Sequence, residues 1–206
     1  MSIQSIMAIG PVIPVVIIEN IDDALPLADA LIEGGIGTIE ITLRSAVALN
    51  AIALISKERP DLTIGAGTVL NPLQMRKVQE AGADFVVSPG IYPELLKSAR
   101  DGGVVFLPGA ATASEMMLLL ANGITAMKFF PATSAGGPGY LKALASPLAD
   151  AIFCPTGGIT AETAIEWLLL PNVQCVGGSW VAPKDMLTKG DFEGIAQNAK
   201  ACSELN

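Results

Sequence analysis

The sequence predicts a compact (β/α)8 TIM barrel, an α/β fold formed by residues 1–206 as a single domain, with a short helix over Ile3 to Ile9 ahead of the first strand. Three observations lead there. Short runs rich in β-branched residues are for the most part apolar throughout, which is the pattern of strands covered on both faces, as in parallel sheets. Each run is followed by a segment with apolar residues at helical spacing. Eight such units fit into 206 residues, and eight suit a closed barrel where six would leave an open doubly wound sheet plausible.

The first unit is Val12-Ile13-Pro14-Val15-Val16-Ile17-Ile18, then Asp22-Asp23 at a helix start and apolar residues from Ala24 to Ile32, ending at Gly34-Gly35. The second is Thr38 to Leu43 with a helix from Ala46 to Lys57. The third is Thr63 to Ala66, with a helix that opens at Asn71-Pro72 and ends near Gly82. Later strands begin at Asp84-Phe85-Val86-Val87, Val104-Val105-Phe106-Leu107, Ala126-Met127-Lys128-Phe129, Ala151-Ile152-Phe153-Cys154 and Gln174-Cys175-Val176. No linker, low-complexity stretch or side-chain repeat interrupts this order, so a solenoid is excluded.

Composition narrows the chemistry. The formal charge is −8 and the 12 Lys and Arg form no basic run, which argues against nucleic acid as a partner. Histidine is absent, so the commonest general base and the commonest transition-metal ligand are both missing. The 3 cysteines, Cys154, Cys175 and Cys202, are odd in number and lack a C-x-x-C spacing, favouring reduced thiols over a disulfide framework or a metal cage. No cofactor or metal is expected. The start of the chain has no basic leader, and no apolar run approaches the roughly 20 residues of a membrane span, so a cytoplasmic protein with no membrane partner is expected.

In a barrel of this kind the active site lies at the carboxyl ends of the strands. Lys128 stands inside an apolar, aromatic-flanked run, whereas the other lysines fall in segments that read as helix surface or loop. Burial lowers an ammonium's pKa toward the range where the neutral amine attacks a carbonyl; the competing reading is a strand-end lysine that snorkels or pairs with a carboxylate. Glu40 alternates with Ile39 and Ile41 and would point inward near Lys128, either as a functional partner or as one half of a stabilising ion pair. Gly157-Gly158 and Gly177-Gly178-Ser179 follow the seventh and eighth strands, where barrels often hold phosphate on backbone N–H groups, with Ser179 adding a hydroxyl. Arg44 is a candidate fork for a carboxylate or a surface helix-start arginine.

Six segments carry a family resemblance: Ile39-Glu40-Ile41-Thr42-Leu43-Arg44, Gly65 to Pro72, Ser88-Pro89-Gly90, Lys128-Phe129-Phe130-Pro131, Cys154-Pro155-Thr156-Gly157-Gly158-Ile159 and Gly177-Gly178-Ser179-Trp180. In order and spacing they resemble the bacterial 2-keto-3-deoxy-6-phosphogluconate (KDPG) aldolase family over nearly the whole chain, with the loop Ala132 to Gly139 and the C-terminal tail most particular to this sequence. The resemblance implies a homotrimeric, metal-independent class I aldolase of the Entner–Doudoroff pathway, often also acting on 4-hydroxy-2-oxoglutarate (KHG). Lys128 would form the Schiff base and Glu40 would shuttle protons. The resemblance assigns Arg44 and Thr68 to the pyruvyl carboxylate, Pro89 and Phe130 to the pocket wall and Thr156 to a substrate hydroxyl. Gly157, Gly158, Gly178 and Ser179 would hold the phosphate. Alternatives are an aldolase preferring KHG or the 6-phosphogalactonate epimer, and a non-catalytic phosphate-binding barrel.

Overall fold

A computed structural model describes residues 1–205. Strands and helices alternate. The strands are β1 (Val12–Val16), β2 (Thr38–Thr42), β3 (Thr63–Gly67), β4 (Phe85–Val87), β5 (Phe106–Leu107), β6 (Gly109–Ala110), β7 (Ala126–Phe129), β8 (Ile152–Pro155) and β9 (Val176–Gly178). The helices are α1 (Ile3–Met7), α2 (Ala24–Glu33), α3 (Ala48–Glu58), α4 (Pro72–Glu80), α5 (Pro93–Asp101), α6 (Ala113–Ala121), α7 (Gly137–Leu144), α8 (Ala164–Leu168), α9 (Lys184–Lys189) and α10 (Phe192–Ser203).

Local chemistry sets several of these boundaries. Asn71 caps α4 by accepting from the Gln74 N–H at 2.9 Å, and Pro72 fills the first helical position, where its missing N–H costs nothing. Thr112 and Glu115 form a reciprocal capping box at the start of α6. The N-terminal helix is shorter than the sequence suggested. It stops at Met7, where Ala8 caps it onto the Gln4 and Ile6 carbonyls, and Ile9 lies outside.

All strand pairings are parallel, in two curled sheets of order β5-β4-β3-β2-β1-β9 and β6-β7-β8. The fifth strand departs from the sequence reading: Val104 and Val105 fall outside it, and Pro108 divides the rest. The half before Pro108 pairs with β4, the half after it with β7, and the Pro108 carbonyl accepts the Lys128 N–H at 2.8 Å. Proline has no N–H to give a ladder, so it sits where one pairing hands over to the next. On the other side, a bridge from Thr156 to Gly177 connects the end of β8 to β9.

Apolar side chains lie on both faces of the sheet, which is why the strand segments other than β2 carry no polar alternation. Val16, Ile39, Ile41, Phe129 and Trp167 belong to the outer cluster under the helices. Ile13, Phe85, Val87, Leu107, Ala126, Cys154 and Cys175 form an inner cluster, to which α1 contributes the fully buried Ile6 and Met7. This inner cluster supports the strand ends from below, and the polar site lies above it.

Candidate active site

Alternation along β7 aims its lysine. Ala126 joins the inner cluster while Met127 and Phe129 face the helices, so Lys128 points inward. Phe129 stacks on Tyr140 at a centroid distance of 5.6 Å and packs against Trp167, which fixes the strand from its outer side. On β2 the same alternation turns Ile39 and Ile41 outward and Glu40 inward.

The two charges meet. Lys128 Nζ donates to both carboxylate oxygens of Glu40, at 3.0 and 3.1 Å, and the residues are only 6% and 3% exposed. Charges so far from water persist only when each satisfies the other, and removing one partner of such a pair costs about 3–5 kcal/mol. The ammonium also stands 5.6 Å from the centroid of the Phe130 ring, within cation–π range.

A cavity of about 250 Å³ opens above the pair, lined by Val15, Glu40, Arg44, Thr68, Pro89, Lys128, Phe130 and Thr156. The strand-end residues singled out in the sequence thus converge from five strands and the loops that follow them, with Val15 of β1 added. Val15 gave no signal because it is one more valine in an apolar strand. Thr42 was also missed. Its hydroxyl donates to the Val16 carbonyl at 3.0 Å and accepts from Arg44 Nε at 3.2 Å, tying the guanidinium to the β1 edge of the cavity. The available clue was period two, which puts Thr42 on the same face as Glu40. Thr68 has φ 59°, a positive value found at no other non-glycine among the described residues. Such a conformation costs on the order of 1–3 kcal/mol and is typical of functional loops.

Gly157, Gly158, Gly178 and Ser179 do not line this cavity. Gly157 adjoins it, since a Cβ there would lie 3.3 Å from the Phe130 ring. Gly157 and Gly158 have φ of 105° and 79°, which demands glycine on backbone grounds. The space beside two of these glycines is filled by protein. A Cβ at Gly158 would fall 2.7 Å from Thr133 Oγ1, and one at Gly178 would fall 2.4 Å from the Trp180 ring. The Ser179 side chain is exposed.

Two of the cysteines abut beneath the site. The Cys175 thiol is pushed well above the usual thiol range, first by its hydrogen bond with Cys154 and then by complete burial. Among the described residues no three or more His, Cys, Asp and Glu side chains converge as a metal site, and no helix is long and apolar enough to cross a membrane.

A family model described as the aldolase family "KDPG and KHG aldolase" matches residues 3–198. With the parallel α/β fold and its buried amine–carboxylate pair, this makes the protein an aldolase, a carbon–carbon lyase. More narrowly, the chain belongs to the KDPG and KHG aldolase family. It is 45% identical to the KHG/KDPG aldolase of Escherichia coli K12 over 98% of this chain and 95% of that one. The KDPG aldolase of Legionella pneumophila, solved with pyruvate captured as a covalent carbinolamine, is 44% identical and superposes with a TM-score of 0.97 over 99% of both chains. The Zymomonas mobilis KDPG aldolase solved with 3-phosphoglycerate is 46% identical, with a TM-score of 0.94 over 99% of this chain and 96% of that one.

Proposed function

We propose that the protein cleaves KDPG to pyruvate and glyceraldehyde 3-phosphate through a Schiff base on Lys128. The observation that carries this reading is the Lys128 amine held 3.0 Å from a Glu40 oxygen beneath a cavity open to solvent. An amine must shed a proton before it can attack a ketone, and a carboxylate in hydrogen-bond contact is positioned to take it.

Lys128 Nζ adds to the C2 carbonyl carbon, and the carbinolamine expels its hydroxyl as water after protonation by Glu40. The protonated imine then accepts the electron pair of the C3–C4 bond as that bond breaks, while Glu40 takes the C4 hydroxyl proton. Glyceraldehyde 3-phosphate departs. Glu40 returns the proton to C3 of the enamine, and water hydrolyses the imine to release pyruvate. Arg44, held by Thr42, and Thr68 bind the carboxylate; Pro89 and Phe130 flank the ketone; Thr156 takes a substrate hydroxyl. Gly157, Gly158, Gly178 and Ser179 hold the phosphate at the rim. The Legionella carbinolamine and the phosphorylated ligand of the Zymomonas enzyme support the two ends of this assignment.

KHG is a second substrate, favoured by the family description and by the name of the Escherichia coli relative. We further infer that the chain is one domain closed as an eight-stranded barrel, with β5 and β6 as the two halves of one strand and the Thr156–Gly177 bridge at the joint between β8 and β9. The family resemblance adds a metal-independent homotrimer in the Entner–Doudoroff pathway, while the charge and the short apolar runs carry the expectation of a cytoplasmic protein without a membrane or nucleic-acid partner. A lactate dehydrogenase-coupled assay of pyruvate release from KDPG, its galactonate epimer and KHG tests the function. KDPG should give the highest kcat/KM, and pyruvate release from none of the three would overturn the reading.

A further inference from the structure

Glu40 and Gly67 lie on neighbouring strands. The register pairs Glu40 with Gly65 and Thr42 with Gly67, so the Glu40 side chain leans along the strand by one pleat and reaches residue 67. A Cβ built on Gly67 would fall 2.1 Å from Glu40 Oε1 and 2.8 Å from both Cδ and Cγ. Non-bonded heavy atoms rest at about 3.5–4.0 Å, so no side chain at 67 is compatible with Glu40 where it stands. The backbone gives no reason for this glycine, because Gly67 is not among the positive-φ residues. Glycine inside a strand is moreover a weakening choice.

We propose that Gly67 is a positioning residue for the reaction: its missing side chain is the slot that keeps the Glu40 carboxylate in two-point contact with Lys128. Filling the slot pushes the carboxylate off the amine. The same device recurs at the facing edge of the site, where a Cβ at Gly177 would fall 2.2 Å from Thr156 Oγ1. Each of these two polar side chains leans on a glycine of the next strand. Gly65 supplies the contrast, since its Cβ would meet the Phe85 ring at 2.3 Å and so concerns core packing alone.

The inference rests on the reading of Glu40 as proton carrier, and a double-mutant cycle separates the two. Glu40→Gln alone should lower kcat by about 10²–10⁴-fold, the usual range for a general acid–base group. Gly67→Ala alone should lower it by at least about 10²-fold. Because Gly67 acts through Glu40, the double variant should lose no more than about threefold beyond Glu40→Gln. Gly65→Ala, acting through the core, should instead multiply with Glu40→Gln. Multiplicative losses for Gly67→Ala, or near wild-type turnover of that variant, overturn this proposal alone. Near wild-type turnover of Glu40→Gln overturns the proton-carrier reading together with it. If Gly67→Ala does not fold, Gly67→Ala combined with Glu40→Ala decides. With the slot vacated, that protein should melt cooperatively near the Tm of Glu40→Ala, and its failure to fold overturns the proposal.

Discussion

Glu40 and Lys128 each make the other tolerable where almost all of both side chains is withdrawn from water, and that mutual dependence gives single substitutions their meaning. Glu40→Gln keeps size and hydrogen bonding but cannot carry a proton. Turnover should fall by about 10²–10⁴-fold while borohydride trapping of pyruvate persists at a slower rate; steady-state and trapping kinetics on one preparation check this. Ser179→Ala removes a single hydroxyl from the proposed phosphate cradle. It should lower kcat/KM on KDPG by roughly tenfold, about 1.4 kcal/mol, and leave KHG cleavage nearly unchanged, because KHG has no phosphate. Equal losses on both substrates would detach Ser179 from the phosphate. Lys128 and Glu40 were legible as residues because a charge in an apolar strand needs a reason. The surroundings of Gly158 were not legible. Sequence spacing reserves its open side for a phosphate, yet Thr133 stands there, supplied by the loop after β7. Gly158→Val therefore clashes with protein before any ligand arrives and is a poor probe of anion binding.

Among the elements, α6 offers the clearest test of local sequence chemistry. Thr112 Oγ1 accepts from the Glu115 N–H, and the Glu115 carboxylate accepts from the Ala111 and Thr112 N–H groups, each at 2.8 Å. Partial burial pushes the Glu115 carboxyl up, but the backbone donors of Ala111 and Thr112 outweigh it and hold the group below its usual range. Its contribution to stability is therefore complete above the unfolded carboxylate pKa, about 4.3, and is lost as pH falls through the lower folded value. Thr112→Ala should cost about 1 kcal/mol in urea unfolding at neutral pH. Glu115→Gln should narrow the difference from wild type as the pH is lowered through that window; a constant difference would remove the carboxylate from the cap. Thr112 and Glu115 stand at capping-box spacing in the bare sequence, so this feature was open to inspection. The division of the fifth strand was less so. Pro108 signals an interruption, but which neighbour each half pairs with depends on β4 and β7, remote in sequence.

At the scale of the molecule, the order of strand–helix units was readable because burial on both sheet faces leaves continuous apolar runs, and the inner cluster over α1 explains why even the inward positions are apolar below the site. Assembly was not readable from periodicity, since it depends on surfaces rather than on the core. Leu70, Leu73 and Tyr92 stand exposed near one another, with the Tyr92 hydroxyl donating to the Leu70 carbonyl at 3.1 Å. Sedimentation equilibrium should return three times the 21.2 kDa chain mass; a monomer at micromolar concentration would contradict the homotrimer. The claim on which the rest depends is that Lys128 becomes covalently bound to the keto acid. Incubation with pyruvate and borohydride, followed by intact-mass and peptide mass spectrometry, addresses it directly. The account predicts one reduced pyruvyl group per chain, on the peptide containing Lys128 and absent from Lys128→Ala. Labelling at a different lysine, or no adduct at all, would contradict it.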